Sequence, residues 1–535
     1  MTEFDIVVHG GTVVDGTGSP VRRADVGVSG DRIRAVGDLA GASAGAWVSA
    51  EDRVVCPGFI DMHTHSDLTA LLEPACSSKA RQGVTTELVG HCGFSAFPLV
   101  HGTNQERTLL DGAILTGEGI EAGWTSCAGY LEAIARARPA INVATLVGNG
   151  TVRSAVIGFD QRPATPAELR KMRREVARAM EEGAFGLSTG LTLYPSSVAE
   201  TDEVVALCEE VARYGGLYDT HVRHLPGWYF KSSEEAIHIG RRTGVPVQIA
   251  HLFLPAPLHA GQGARLLEII ETAREAGDDV TFDAYPYLAA GCPMGELMPD
   301  WLQDGGTQAM LDRAADPSLR QKAIAETAGV GGRRLPRDWT RVVVASSGPR
   351  GDPAWNGQIV KSLADAAGVS PEEMALEILV QSADQAQLIV FNRAEEDVEQ
   401  FISHPMGMIG SDGKAISADG RWSNALVHPR FYGTFPRVLA RYVRERRSLS
   451  LEEAIRKMTS LPARRLQLDR RGQVREGYVA DLVILDPAAV QDQATFERPH
   501  QYPLGISHVM VGGQWVIVDG EQTPARPGAV LRRGA

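Results

Sequence analysis

The sequence predicts an α/β chain: a TIM-type (β/α)8 barrel, a small β-sandwich built from both termini, and a lid inserted after the seventh strand. Three observations carry the prediction. Both ends of the chain are short alternating apolar runs between Gly-rich turns, as in "FDIVVHGGTVVDG" and "ISHVMVGGQWVIVDG". The long middle alternates short apolar runs with amphipathic stretches, the pattern of repeated βα units around a parallel sheet. Eight strand runs can be placed there, at 58–65, 84–92, 143–149, 184–190, 216–221, 245–251, 280–285 and 406–412, the number this barrel needs.

Taken in order, residues 1–57 with 466–535 form the β-sandwich and 58–465 the barrel domain. The helices between strands are well marked. In "TPAELRKMRREVARAMEEG", Thr165 is an N-cap, Pro166 sits at N1 and Glu168 at N3, a capping box. Leu169, Met172, Val176 and Met180 recur at helical spacing, and Gly183 closes the helix. "TDEVVALCEEVARYGG" repeats the plan, with Thr201 opening and Gly215 ending. The gap between the last two strands is too long for a simple crossover. It holds an insertion at 288–345 and further helices, and at the barrel mouth an insertion makes a lid.

Composition narrows the function classes. Hydrophobic residues make up 44% and charged residues 22% of 535, the balance of an ordinary globular protein. A net charge of −13 argues against nucleic acid as a partner. Six scattered cysteines suit a reducing compartment better than a disulfide framework. No basic leader and no membrane-length apolar run is present, so the chain reads as cytoplasmic, with no membrane partner. Oligomeric state is left open.

Chemistry in such barrels gathers at the C-terminal strand ends. The first strand ends in "IDMHTHSD". Side chains alternate faces on a strand, so His63 and His65 project together with Asp61 while Met62 and Thr64 point away. The second strand ends in Cys92, the fifth in His221, the sixth in His251 and the eighth in Asp412. In the sixth, Val245, Val247 and Ile249 share a face with His251, an inward row closed by the histidine. His91 has the opposite parity to Cys92 and reads as structural. Any one of these residues alone has an ordinary explanation: a hydrogen-bonded histidine, a buried thiol, a turn aspartate. Six at one end of one barrel point to a metal site.

Imidazole nitrogen together with thiolate suits Zn2+. Cys92, His221 and His251 hold one tight ion; His63, His65 and Asp412 hold a second, weaker one or act on substrate. Asp412 is the general base and acid of a metal-assisted hydrolysis.

HxH after an apolar strand, followed by single His, His and Asp at later strand ends, resembles the amidohydrolase superfamily. "GVTTELVGHCGFS", "GAFGLSTGLTLYP", "FDAYPY", "GMIGSDG", "HPRFYGTFPRVLARYVRE", "AIRKMTSLPARRLQL" and "GYVADLVILDP" are similar to its N-acyl-D-amino-acid deacylases, the D-aminoacylases. The resemblance implies a small-molecule amide substrate, most simply an N-acyl-D-amino acid. It also implies a cysteine from strand 2 in place of the carboxylated lysine of many amidohydrolases. This chain has seven lysines and none in 184–190. Tyr194 matches a tyrosine that polarises the scissile carbonyl, or else anchors its loop. Tyr285 and Arg223 match substrate-binding positions of the branch.

Two positions depart. A serine expected shortly after "YPY" is missing, with "LAAGCP" in its place. Where the branch is expected to carry a carboxylate-binding lysine two residues after the strand 6 histidine, "AHLFLP" has Phe253. An aromatic ring there favours a neutral contact. A different amide, such as an acylated natural product, a lactam or a peptide-like metabolite, is therefore the alternative substrate.

Overall fold

Eight strands occur where the apolar runs place them, in a computed structural model that describes residues 2–103, 105, 106, 120–224, 228–331 and 337–534. They are Phe59–Asp61, Val84–Val89, Asn142–Thr145 continuing as Val147–Gly148, Gly186–Gly190, Leu217–His221, Val247–Ile249, Val280–Ala284 and Gly407–Ile409. Each pairs in parallel with the next. Past the ends of the first and last strands, Asp412 N–H donates to His63 O and His65 N–H to Gly413 O, both at 2.8 Å. The result is a TIM barrel with an additional β-rich part.

Two apolar layers separate inside from outside. Ile60, Met62, Leu88, Leu146, Phe185, Leu217 and Met408 come from strands around the ring and form one buried interior cluster. Val245, Val247 and Ile249 belong to the other layer, with Ile237, Ile239 and Leu266 of the flanking helices. That corrects the inward row read from the sequence. The inward residue of the sixth strand is Gln248, which donates to Asp283 Oδ2 at 3.0 Å. His251 enters the site because the chain turns after Ile249, with a φ of 34° at His251 itself. The first strand behaves likewise. Its ladder stops at Asp61, Met62 joins the interior cluster, and Asp61 Oδ1 accepts the His63 N–H at 3.3 Å.

The helix opened by Thr165 spans Pro166–Glu181 and carries the full capping box. The next spans Thr201–Arg213, with Thr201 as its first helical residue and Glu200 as the cap.

Outside the barrel, a four-stranded sheet comes from the N-terminal segment alone. A seven-stranded sheet interleaves both termini: Val54–Pro57 pairs antiparallel with Leu482–Leu485. Val8, Val26, Val28, Val55, Leu482 and Ile484 form a shared buried cluster. The last residues leave this sheet. Val143 N–H donates to Ala529 O and Leu531 N–H to Val143 O, because Leu531 packs onto the barrel's interior cluster.

Between the seventh and eighth barrel strands lies a three-stranded antiparallel sheet of Ala290–Pro293, Gln387–Val390 and Val342–Ser346. Met294, Leu302, Trp339, Val344, Leu376 and Leu388 give it a core of its own. Its middle strand is Gln387–Val390, which pairs with both others. The inserted body therefore extends to Val390, well beyond the 288–345 expected from sequence; residues 332–336 of that range lie outside the described residues. No helix among the described residues is long and apolar enough to cross a membrane.

Candidate metal centre

Cys92, His63, His65, His221, His251 and Asp412 converge at the C-terminal end of the barrel. Cys92 Sγ lies 3.4 Å from His63 Nε2 and 3.5 Å from His251 Nε2. Two overlapping donor sets share the thiol, His63–His65–Cys92 and Cys92–His221–His251, each with its donor atoms within 4.8 Å of one another. Asp412 Oδ1 is 3.0 Å from His65 Nε2 and 3.6 Å from His63 Nε2. Tetrahedral zinc with bonds of about 2.0–2.3 Å sets its ligand atoms roughly 3.3–3.8 Å apart, and the two sulfur–imidazole spacings fall in that range.

Backbone conformation, more than strand alternation, aims these groups. Cys92, His251 and Asp412 have φ of 54°, 34° and 51°, in the left-handed region that L side chains rarely adopt. A buried network holds the turns. The Lys79 ammonium is fully buried, 2.7 Å from Asp61 Oδ2 and 2.5 Å from Ser411 Oγ. Asp61 Oδ1 accepts N–H bonds from His63 and from Ser411, the neighbour of Asp412. One carboxylate thus fixes both sides of the site.

Burial keeps the imidazoles of His63, His221 and His251 neutral, as ligands must be. It pushes His63 down to about 3, against the pull of Asp412, and lowers His221 and His251 well below the ordinary histidine value. Burial, reinforced by Asp412 and Asp219, pushes the Cys92 thiol far up. Burial would also raise Asp412, but Arg430, at 2.8 Å from Oδ2, and His65 hold its carboxyl well below the usual carboxylate range. One S–H can donate to only one of the two imidazole nitrogens beside it; a cation that displaced the thiol proton would be ligated by the sulfur and the nitrogens together.

Of the remaining predicted residues, Arg223 and Phe253 are placed differently from expectation, and Tyr194 makes the contact of a loop anchor, the second of its two readings. Arg223 is spent within the framework: Nε donates to Glu235 at 3.1 Å and Nη1 to Ser197 O at 3.2 Å. The Tyr194 hydroxyl donates to Phe159 O. Phe253 packs edge-on against His224 and His251, at 4.9 and 6.4 Å between ring centroids, but its other contact is a cation, Arg393, 4.3 Å from the ring centroid. Tyr285 is buried beside the site as expected, between Arg393 and Arg430.

Sequence reasoning missed Arg393, Arg430 and Asp219. Asp219 precedes His221 by two residues, so its inward position follows from strand alternation. It lies 3.9 Å from His91 Nε2, both groups fully buried. His91, which stacks on His63 at 4.1 Å, is turned inward with it because Gly90 breaks the alternation at φ 84°. Arg430 is in the quoted "HPRFYG" and carried no assignment. Arg393 comes from outside any barrel strand end and left no local signal.

Comparison with known proteins gives the family. The model of the amidohydrolase family matches residues 46–517. D-aminoacylase of Alcaligenes xylosoxydans xylosoxydans is 37% identical over 99% of this chain and 98% of its own. N-acyl-D-glutamate deacylase of the same organism is 36% identical over 100% and 97%. Among solved structures, a D-aminoacylase with a binuclear metal centre superposes with a TM-score of 0.84, at 36% identity over 99% of this chain and all of that one. The N-acyl-D-glutamate deacylase of Bordetella bronchiseptica, solved with zinc and a phosphonate mimic of the tetrahedral intermediate, gives 0.82 at 34% identity over 99% of each. This chain belongs to the amidohydrolase family.

Proposed function

We propose that the chain is a zinc-dependent hydrolase that splits the linear amide of N-acyl-D-amino acids. The observation that carries this reading is the placement of Cys92 between two donor sets, with an ionised Asp412 on the same cluster. The relatives support the substrate class: those named D-aminoacylase and N-acyl-D-glutamate deacylase match across nearly the whole chain.

Cys92, His221 and His251 would hold the tight ion, with His63, His65 and Asp412 lining a weaker position beside it. When bound, zinc supplies Lewis-acid activation of water and of the scissile carbonyl. Asp412, fixed by Arg430 and His65, takes a proton from the attacking water at its carboxylate and returns it to the leaving nitrogen. Tyr194, bonded to Phe159, serves as a loop anchor, and Arg223 as part of the frame that carries His221.

In the same reading, residues 1–57 and most of 466–535 form the β-sandwich. The barrel domain, 58–465, carries the inserted body as a lid. The alternative substrate class drew on Phe253 as a neutral contact, and the Arg393 guanidinium over that ring removes its main support.

A panel assay of the zinc-loaded enzyme tests the reading. N-acyl-D-amino acids are expected to turn over, faster than their L enantiomers and faster than neutral amides. Turnover of neutral amides alone would overturn the substrate assignment.

A further inference from the structure

We propose that Arg393 grips a carboxylate of the substrate and so sets a preference for acyl amino acids over uncharged amides; this rests on the amide-hydrolase reading above. Arg393 lies just past the last strand of the inserted body, and its backbone is tied to the rim of the site. Ala256 N–H donates to Asn392 O at 2.7 Å, and Arg393 N–H to Leu288 O at 3.2 Å. Those bonds reach the loops after the sixth and seventh barrel strands, the same loops that carry Phe253 and Tyr285. The guanidinium is held against both rings, 4.3 Å from the Phe253 centroid and 4.6 Å from that of Tyr285. Arg430 approaches the Tyr285 ring too, at 4.8 Å.

Of these two cations, one has its anion. Arg430 pairs with Asp412. Among the described residues no carboxylate lies within ion-pair distance of Arg393, whose side-chain bond goes to the neutral Asn392 Oδ1 at 3.1 Å. Arg393 is 7% exposed. A guanidinium stays charged in such a place, and a buried charge without a counter-ion is destabilising. The Tyr285 hydroxyl beside it is buried, with the Arg430 guanidinium on its acceptor side, and it donates to no acceptor among the described residues.

A cation without an anion and a donor without an acceptor, on one aromatic ring, make an anion site. A carboxylate suits it, because the guanidinium fork matches its two oxygens. The site adjoins the donor cluster, since Phe253 also packs on His251. A ring at position 253 is then consistent with anion binding: the charge comes from above it rather than from the strand end. The α-carboxylate and an acidic side chain present the same group, and the probes below separate them.

The test uses the zinc-loaded full-length enzyme, wild type, Arg393→Met and Arg393→Lys. The substrates are N-acetyl-D-leucine, N-acetyl-D-leucinamide, and N-acetyl-D-isoglutamine, which keeps only its side-chain carboxylate. Arg393→Met is expected to lower kcat/KM on the order of 100-fold for the carboxylate substrate the site reads, mainly through KM. Turnover of leucinamide should stay within about threefold, and Arg393→Lys should recover part of the loss. A loss on leucine identifies the α-carboxylate, and a loss on isoglutamine identifies the side chain. Equal loss on all three substrates, or none, overturns the proposal. If wild type hydrolyses none of them, the acyl-amino-acid reading fails instead. Arg393 is then judged by calorimetric binding: N-acetyl-D-leucine or N-acetyl-D-isoglutamine must bind wild type more tightly than leucinamide does, and that advantage must vanish in Arg393→Met. Its persistence would overturn the proposal.

Discussion

Asparagine in place of Asp412 is expected to leave a protein that binds its tight zinc and hydrolyses amide about 10³–10⁴-fold more slowly. The substitution keeps the shape of the side chain and removes its charge. Asp412 Oδ1 faces His65 and His63, and Oδ2 faces Arg430. An amide in that position can still accept from Arg430 or lie beside His65, but it cannot take up a proton. The tight ion should be unaffected because the donors proposed for it, Cys92, His221 and His251, form a set without Asp412. The checks are kcat on an N-acyl-D-amino acid and zinc content by mass spectrometry on the same sample. Activity within tenfold of wild type would place the base elsewhere. Loss of zinc would make Asp412 a required ligand of the tight site.

Alanine in place of Cys92 is expected to lose the tight ion. An apparent zinc affinity of roughly 10–16 kcal/mol spread over four ligands is about 2.5–4 kcal/mol for each, so one lost ligand weakens binding on the order of 100- to 1000-fold. The shared thiol makes this the most damaging single ligand to remove, since both donor sets contain it.

Proton release gives the same prediction a second readout. Burial keeps the Cys92 thiol protonated and the His221 and His251 imidazoles neutral near pH 7. Zinc binding to the apoenzyme should therefore release about one proton, and affinity should rise about tenfold per pH unit below the thiol pKa. Calorimetry in buffers of different ionisation enthalpy measures that count. Cys92→Ala should release none from this source. Retained zinc and activity in Cys92→Ala would remove cysteine from the ligand set.

The residues of the centre could be read from the chain because each stands where an apolar run stops, and strand ends are where barrels gather chemistry. The route by which they converge could not. Strand alternation accounts for His221, which follows the inward Leu217 and Asp219 on a regular strand. It fails for His63 and His251, whose strands end two residues earlier and whose side chains are aimed by turns. Left-handed φ at a non-glycine residue is imposed by surrounding structure and leaves no mark in one sequence.

Substrate contacts were harder still. Arg223 has the right residue type two positions past His221, yet Glu235, twelve positions on, claims its guanidinium. Arg393 comes from the far end of the insertion, more than a hundred residues from the ring it covers, and only packing of that body brings it to Phe253. Long-range pairing of this kind depends on how two bodies dock, which periodicity and caps do not encode.

The central claim is that sulfur and imidazole from distant strands share one ion. X-ray absorption at the zinc edge, on enzyme loaded with one equivalent, tests it directly. The account predicts one sulfur neighbour at about 2.3 Å with nitrogen or oxygen at about 2.0–2.1 Å. A spectrum fitted by nitrogen and oxygen alone would contradict it.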